Sequence, residues 1–280
     1  MISSLDHLIV AVKDLQEAEL NYKKVFGIEP VWRGQHKELG TANSIFNFNN
    51  TYFELLAVKG KGLGASLVES AIEEKGEGLI GIVFGTNDIT NASKKLTKMG
   101  YSIAEISEGE GTDNNSKLTR NWKNLFLPPE LTRGIFSFII EHTHGHLPTI
   151  EEFPKDTINK LDHVVINTND ADGFINIYKD VFDIRLALDK VIEHWKRRML
   201  FFRVNKTTIE VIEEKNENEP SDALWGLAWE VASMEDAHKR LLDKGVEVTP
   251  IKKGLKDHTL VATIKSHTHN VPTLLIEHTK

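Results

Sequence analysis

The chain contains no cysteine. A disulfide framework, a thiol nucleophile and a thiolate metal site are therefore excluded, and any metal must be held by His, Asp or Glu. Long apolar runs are missing too. None approaches the roughly 18 residues that suggest a membrane-spanning helix, and the opening stretch MISSLDHLIVAVKDLQEA meets Asp6 and Lys13 before a signal-like core develops. Cytoplasmic residence, with no membrane partner, is the expectation. Excess positive charge is also absent: the formal net charge is −7, which argues against nucleic acid, since phosphate binding takes clustered Lys and Arg. The short basic run HWKRR at 194–198 is read as a solvated face. What is present, 280 residues with 40% hydrophobic and 27% charged side chains, suits a globular protein of one large or two ordinary domains.

An internal repeat organises that length. Displaced by 156 positions, residues 2–28 match 158–184 at Leu5/Leu161, Asp6/Asp162, His7/His163, Asp14/Asp170, Tyr22/Tyr178, Val25/Val181 and Phe26/Phe182, and the same displacement carries Glu54 onto Glu210. Each unit opens on a β-branched run, continues into a helix-like segment such as LQEAELNYKKVFG, and returns to short strands such as SIFNF and YFELLAV. Weaker versions start near residues 78 and 226 and close on FSFIIEHT and PTLLIEHT. The pattern predicts an α+β protein of four βαβββ units paired into two domains. The expected divisions are 1–147, a connector at 148–159 containing Pro148 and Pro154, and 160–280. A polar, Gly-rich insert near 107–124 is expected to lie over the binding face of the first domain.

Strand parity then sorts the side chains. Alternate residues share a face, so His7, Ile9 and Ala11 point one way and Leu8, Val10 and Val12 the other. The aliphatic set belongs under the helices, which leaves His7 on the concave side. Glu54 shares its face with Leu56, opposite Phe53 and Leu55, while Glu141 lies opposite Ile140 and His142.

Tandem βαβββ units opening on LDH and closing on FEL or IEH resemble the vicinal oxygen chelate superfamily, which includes glyoxalase I, extradiol dioxygenases and antibiotic-binding resistance proteins. Within it, GQHKELGTANSIFNF, TYFELLA and LTRNWKNLF are similar to a glyoxalase-like domain family. The resemblance covers residues 1 to about 147 well and the rest at superfamily level. It implies two cup-shaped sheet domains, each wrapped around a divalent metal at four positions: His7, Glu54, Gly81 and Glu141 in the first half, and His163, Glu210, Trp229 and Glu277 in the second. His7, Glu54 and Glu141 are thus the expected metal ligands, with His163, Glu210 and Glu277 a weaker second set. One imidazole and two carboxylates suit Mn, Fe, Co, Ni or Zn with open positions for substrate. Glu141 is the expected proton shuttle for an enediolate or oxyanion formed on a small oxygen-rich substrate.

His36, Asn43, Arg120 and Trp122 are expected to bind that substrate. A turn that satisfies its own backbone competes for His36 and Asn43, and a surface hairpin for Arg120 and Trp122. The first half is expected to do the work, because Gly81 leaves space where Trp229 would fill the second cup. HTHGH at 142–146 and HTH at 267–269 read as surface clusters, and KGKGLG at 59–64 as a mobile loop. Two other functions compete. A metal-free sequestering protein would line its cup with Trp32, Trp122, Trp195 and Trp229 and pair its glutamates with Arg33, Arg120 or Arg203. A ring-cleaving dioxygenase would need a second metal-binding histidine that neither half supplies.

Overall fold

The computed structural model describes residues 1–193, 195–216 and 218–279. Its first half runs β1 (Ser4–Ala11), α1 (Leu15–Phe26), β2 (Trp32–His36), β3 (Thr41–Asn47), β4 (Tyr52–Val58), α2 (Leu63–Lys75), β5 (Gly78–Gly85), α3 (Ile89–Lys98), β6 (Ser107–Thr112), β7 (Thr119–Phe126), α4 (Pro129–Thr132) and β8 (Phe136–His144). The second half repeats the plan from β9 (Ile158–Thr168), α5 (Ala171–Ile175) and a π-helical turn (Asn176–Val181) to β10 (Arg185–Ile192), β11 (Arg197–Val204), β12 (Thr207–Glu213), β13 (Asp222–Val231), α6 (Met234–Asp243), β14 (Lys252–Lys253), β15 (Thr259–Ile264) and β16 (Thr273–His278). Each half forms one eight-stranded sheet, in the orders β2-β3-β4-β1-β5-β8-β7-β6 and β10-β11-β12-β9-β13-β16-β15-β14. Two cups of tandem βαβββ units result. β9 begins inside the stretch 148–159 that the sequence suggested as a connector. Among the described residues no helix is long and apolar enough to cross a membrane.

Local chemistry explains the repeat. Asp14 caps α1 by accepting from the backbone N–H groups of Gln16 and Glu17, Gly27 closes it in the left-handed conformation, and Ala18, Tyr22, Val25 and Phe26 bury one stripe. Asp170 caps α5 in the same way through Gly173. The apolar faces of the two halves then merge into a single core. Phe84 of β5 packs on Tyr178 and Phe182 of the second half, and Trp229, its counterpart in β13, packs on Phe26, Phe48 and Phe53 of the first. Trp229 therefore does not fill the second cup. β13 slips register against β9 between Ala228 and Trp229, which turns the indole to the convex side and sets Ala228 opposite His163. Hydrogen bonds reinforce the junction, among them Asn50 Nδ2 to the Leu161 carbonyl at 2.8 Å and Leu161 N to Asn50 Oδ1 at 3.0 Å.

The stretch 107–124 is a structural hairpin, β6–β7, rather than an insert draped over the cup. Its turn is bound to β2: Arg33 N donates to Asp113 Oδ1 and Asn114 N to the Arg33 carbonyl, each at 2.8 Å. The two edges of the first sheet thus approach each other, and the cup is nearly a barrel. KGKGLG is a packed turn, with the N–H groups of Lys59 and Gly60 donating to the Gly40 carbonyl. It leads into α2, an element absent from the sequence reading. This helix sets Val68 against Ile9, Ala11, Leu56, Val83, Phe138 and Ile140, so it covers part of the first concave face. Among the described residues no helix intervenes between β12 and β13, and the second cup is more open: the His163 and Glu210 side chains are 17% and 19% exposed, against 3% and 9% for His7 and Glu54. Of the basic run, residue 194 lies outside the described residues, while Arg197 pairs with Glu214 and Arg198 with Asp189 and Asp172.

Candidate functional site

A bulge builds the centre of the first cup. The pairing of β1 with β5 slips between Leu5 and His7, so Asp6 is an extra residue whose carboxylate reaches the same cluster as the His7 ring. Asp6 Oδ1 lies 2.7 Å from His7 Nδ1, and Asp6 Oδ2 lies 3.0 Å from His142 Nε2. On its far side His7 Nε2 faces Glu54 Oε2 at 3.5 Å, while Asn43 Nδ2 donates to Glu54 Oε1 at 2.7 Å. The His7 ring stacks on Tyr52, centroids 4.3 Å apart, and meets the edge of Phe138. At the other end Arg120 Nη2 lies 3.3 Å from His142 Nδ1. One polar chain therefore runs Glu54, His7, Asp6, His142, Arg120.

Its electrostatics follow from these partners. Burial alone raises the Asp6 pKa, but hydrogen bonds from His142 and His7 outweigh it and hold the carboxyl well below the usual range. Asp6 is an anion that orients two imidazoles. With Asp6 held at Nδ1, His7 Nε2 is directed at Glu54. Burial pushes the Tyr52 phenol well above its ordinary value, so it stays neutral. The Arg120 guanidinium sits against Trp32, Tyr52 and Trp122, at 5.5, 5.6 and 5.9 Å from the ring centroids. His36 bonds Thr41 through Nδ1 and approaches Trp122 edge-on, at the rim.

His7, Glu54, Asn43, Arg120 and Trp122 thus come together in one cup, with His36 at its rim. Glu141 does not join them. Ile140 faces the cup, so alternation sends Glu141 to the convex side, where Oε2 accepts from Ile89 N at the start of α3 at 2.7 Å. A carboxylate there complements the helix dipole, and Glu141 is neither a cup ligand nor a proton shuttle. Glu277 repeats the arrangement on Met234 N of α6 at 2.6 Å. The inward position belongs to His142, which the sequence reading assigned to the surface. Gly81 pairs with Ile9, whereas Val83 stands opposite His7 and pairs with Phe138. Of the suggested tryptophans, Trp32 and Trp122 line the first cup and Trp195 is exposed. Arg33 pairs with Glu19 rather than Glu54.

The second cup carries the same core of the chain. Asp162 Oδ1 lies 2.7 Å from His163 Nδ1 and Asp162 Oδ2 lies 2.7 Å from His278 Nε2; His163 Nε2 faces Glu210 at 3.8 Å. Burial raises the Glu210 carboxyl. Glu230 adds a third acid, with Lys160 Nζ 2.7 Å from it. Donor atoms of Asp162, Glu230 and His278 all fall within 4.8 Å of one another.

These geometries can be tested against a divalent ion. In the first cup His7 and Glu54 are the only facing donors among the four expected positions, the others being apolar or turned away, and a catalytic metal site takes three protein ligands. The expected first-cup metal set does not fit. In the second cup Asp162, Glu230 and His278 supply three N/O donors, a set that fits a hard or borderline cation, although Lys160 already neutralises one of them.

Comparison with known proteins agrees with the fold. A family model described as a glyoxalase-like domain matches residues 5–182, and one described as the glyoxalase/bleomycin resistance protein/dioxygenase superfamily matches residues 162–263. A mutant of 4-hydroxymandelate synthase from Streptomyces coelicolor is similar over 100% of this chain and 94% of its own, with a TM-score of 0.70 and 14% identity. A hypothetical protein from Staphylococcus aureus covers 98% of this chain and 99% of its own at a TM-score of 0.66 and 15% identity. The Mn(II)-bound glyoxalase from Novosphingobium aromaticivorans covers 100% and 83% at a TM-score of 0.64 and 14% identity. No functionally curated protein matches the chain. By its long match over both the opening units and the start of the second half, the chain belongs to the glyoxalase-like domain family.

Proposed function

We propose that the protein is an enzyme of the vicinal oxygen chelate type that moves a proton on a small oxygen-rich molecule inside the first cup. The observation that carries this reading is the buried Asp6–His7–Glu54 series. Asp6 fixes the ring, His7 Nε2 is presented to the interior, and Glu54 is held 3.5 Å away by Asn43. An imidazole and a carboxylate at that separation can take a proton from carbon and return it to oxygen. His36 and Trp122 mark the rim, and a neutral Tyr52 can donate a hydrogen bond to an oxyanion. Nuclear magnetic resonance of small 2-oxo acids, 2-hydroxy acids and hydroxyketones incubated in D2O with the protein tests this. Deuterium should enter at the carbon beside the carbonyl with wild type and with Glu141→Gln. Glu54→Gln should reduce it roughly 100-fold or more; equal incorporation by Glu54→Gln refutes the assignment.

The second cup favours another reading, a divalent ion such as Mn, Fe, Co, Ni or Zn held by Asp162, Glu230 and His278. The ion would supply Lewis-acid polarisation of a substrate oxygen, and binding must displace Lys160 from Glu230. Metal stoichiometry of untagged protein, with Glu230→Gln alongside, tests it; an equal metal content in both rules out this donor set. A sequestering protein would bind such molecules without the deuterium exchange.

A further inference from the structure

The first cup contains a guanidinium that makes no direct ion pair among the described residues. Arg120 is 5% exposed, and among the described residues no carboxylate pairs with it. Its polar contacts are with a histidine nitrogen and the Tyr52 hydroxyl, and Nε is buried without a partner. Both nearby carboxylates are committed elsewhere: Asp6 to His7 and His142, Glu54 to Asn43 and His7. A buried guanidinium ordinarily has an anionic or carbonyl partner, because an unsatisfied charged donor costs more than a neutral one. A second buried atom without a partner, Asn43 Oδ1, also lies beside Trp32, since both it and the indole nitrogen crowd Gly34.

We propose that Arg120 is an anion-binding residue of this cup and that its ligand is a small carboxylate. The proposal rests on the first cup being the ligand site and names the class of ligand it takes. Three aromatic rings, Trp32, Tyr52 and Trp122, surround the guanidinium. Rings satisfy its π faces and leave the N–H groups of its edge, the geometry that a planar carboxylate matches. Asp6 and Glu54 limit the tolerated charge to one, so a phosphate dianion is disfavoured. A ligand anchored at Arg120 passes Tyr52 and His142 before reaching His7, along the polar chain. Asn43 Oδ1 then accepts from a hydroxyl on the same molecule.

Tryptophan fluorescence titration tests this, with pyruvate and benzoate as carboxylates, hydroxyacetone and benzamide as neutral counterparts, and inorganic phosphate as the competing anion. Wild type should respond to the carboxylates alone. Arg120→Gln should weaken that response roughly tenfold or more. Circular dichroism checks the fold of each variant, and Arg120→Lys, which keeps the charge, should restore part of the affinity if Arg120→Gln is disordered. Equal carboxylate binding by wild type and Arg120→Gln overturns the anion assignment. Binding of hydroxyacetone but not pyruvate overturns it too, yet leaves the first cup as the ligand site. A wild type silent to every probe removes both.

Discussion

At the residue scale, Asp6 carries the most information. Its position beside His7 in the repeated LDH was visible in the sequence, but strict alternation assigns it to the opposite face. Only the bulge, which needs the register against β5, brings the two side chains together. The same one-residue arithmetic, followed to the end of β8, favours His142 over Glu141, and the motif IEH drew attention to the wrong member. Asp6 also sets a pH dependence. Its carboxyl is held below the usual value, so the folded state releases that proton more readily than the unfolded chain. The resulting stability is fully present above the unfolded pKa of about 3.9 and is lost as pH falls through that value toward the folded one. We expect Asp6→Asn to lower the melting temperature at pH 7 and to flatten its decline below about pH 5 relative to wild type. Thermal denaturation across pH 3–7 checks this, where unchanged slopes would show that Asp6 is not an anion anchoring two imidazoles.

At the scale of elements, strands and the repeated helices were legible because each follows one period and carries its own cap. α2 was not. Its residues, LGASLVESAIEEK, bury only Ala65 and Val68 among the described contacts, leaving too narrow a stripe to stand out. What seats the helix is a close approach of backbones: a Cβ on Gly40, where φ is +71°, would lie 2.6 Å from the Lys61 carbonyl carbon. Gly40→Ala should therefore destabilise the protein by about 1–3 kcal/mol and speed amide exchange in 63–75 more than in β1. Hydrogen exchange read by mass spectrometry decides, and uniform protection in the variant would contradict the role of that contact.

At the scale of the molecule, the duplication that announced the fold also concealed how the halves differ. Both keep the Asp–His–His–Glu series, and both pair Phe84 or Trp229 with aromatic residues of the other half in one shared core. Only the first cup adds Arg120, Asn43 and a covering helix; the second adds Glu230 and Lys160 and stays more open. None of this is written at equivalent positions, so the repeat could not apportion function between them. The most direct measurement is deuterium incorporation into pyruvate and hydroxyacetone by His7→Gln and His163→Gln side by side, each with a chelator and with added Mn²⁺. Proton chemistry in the first cup predicts that His7→Gln loses incorporation under both conditions while His163→Gln keeps it. Loss in His163→Gln with retention in His7→Gln would contradict it and move the working site to the second cup.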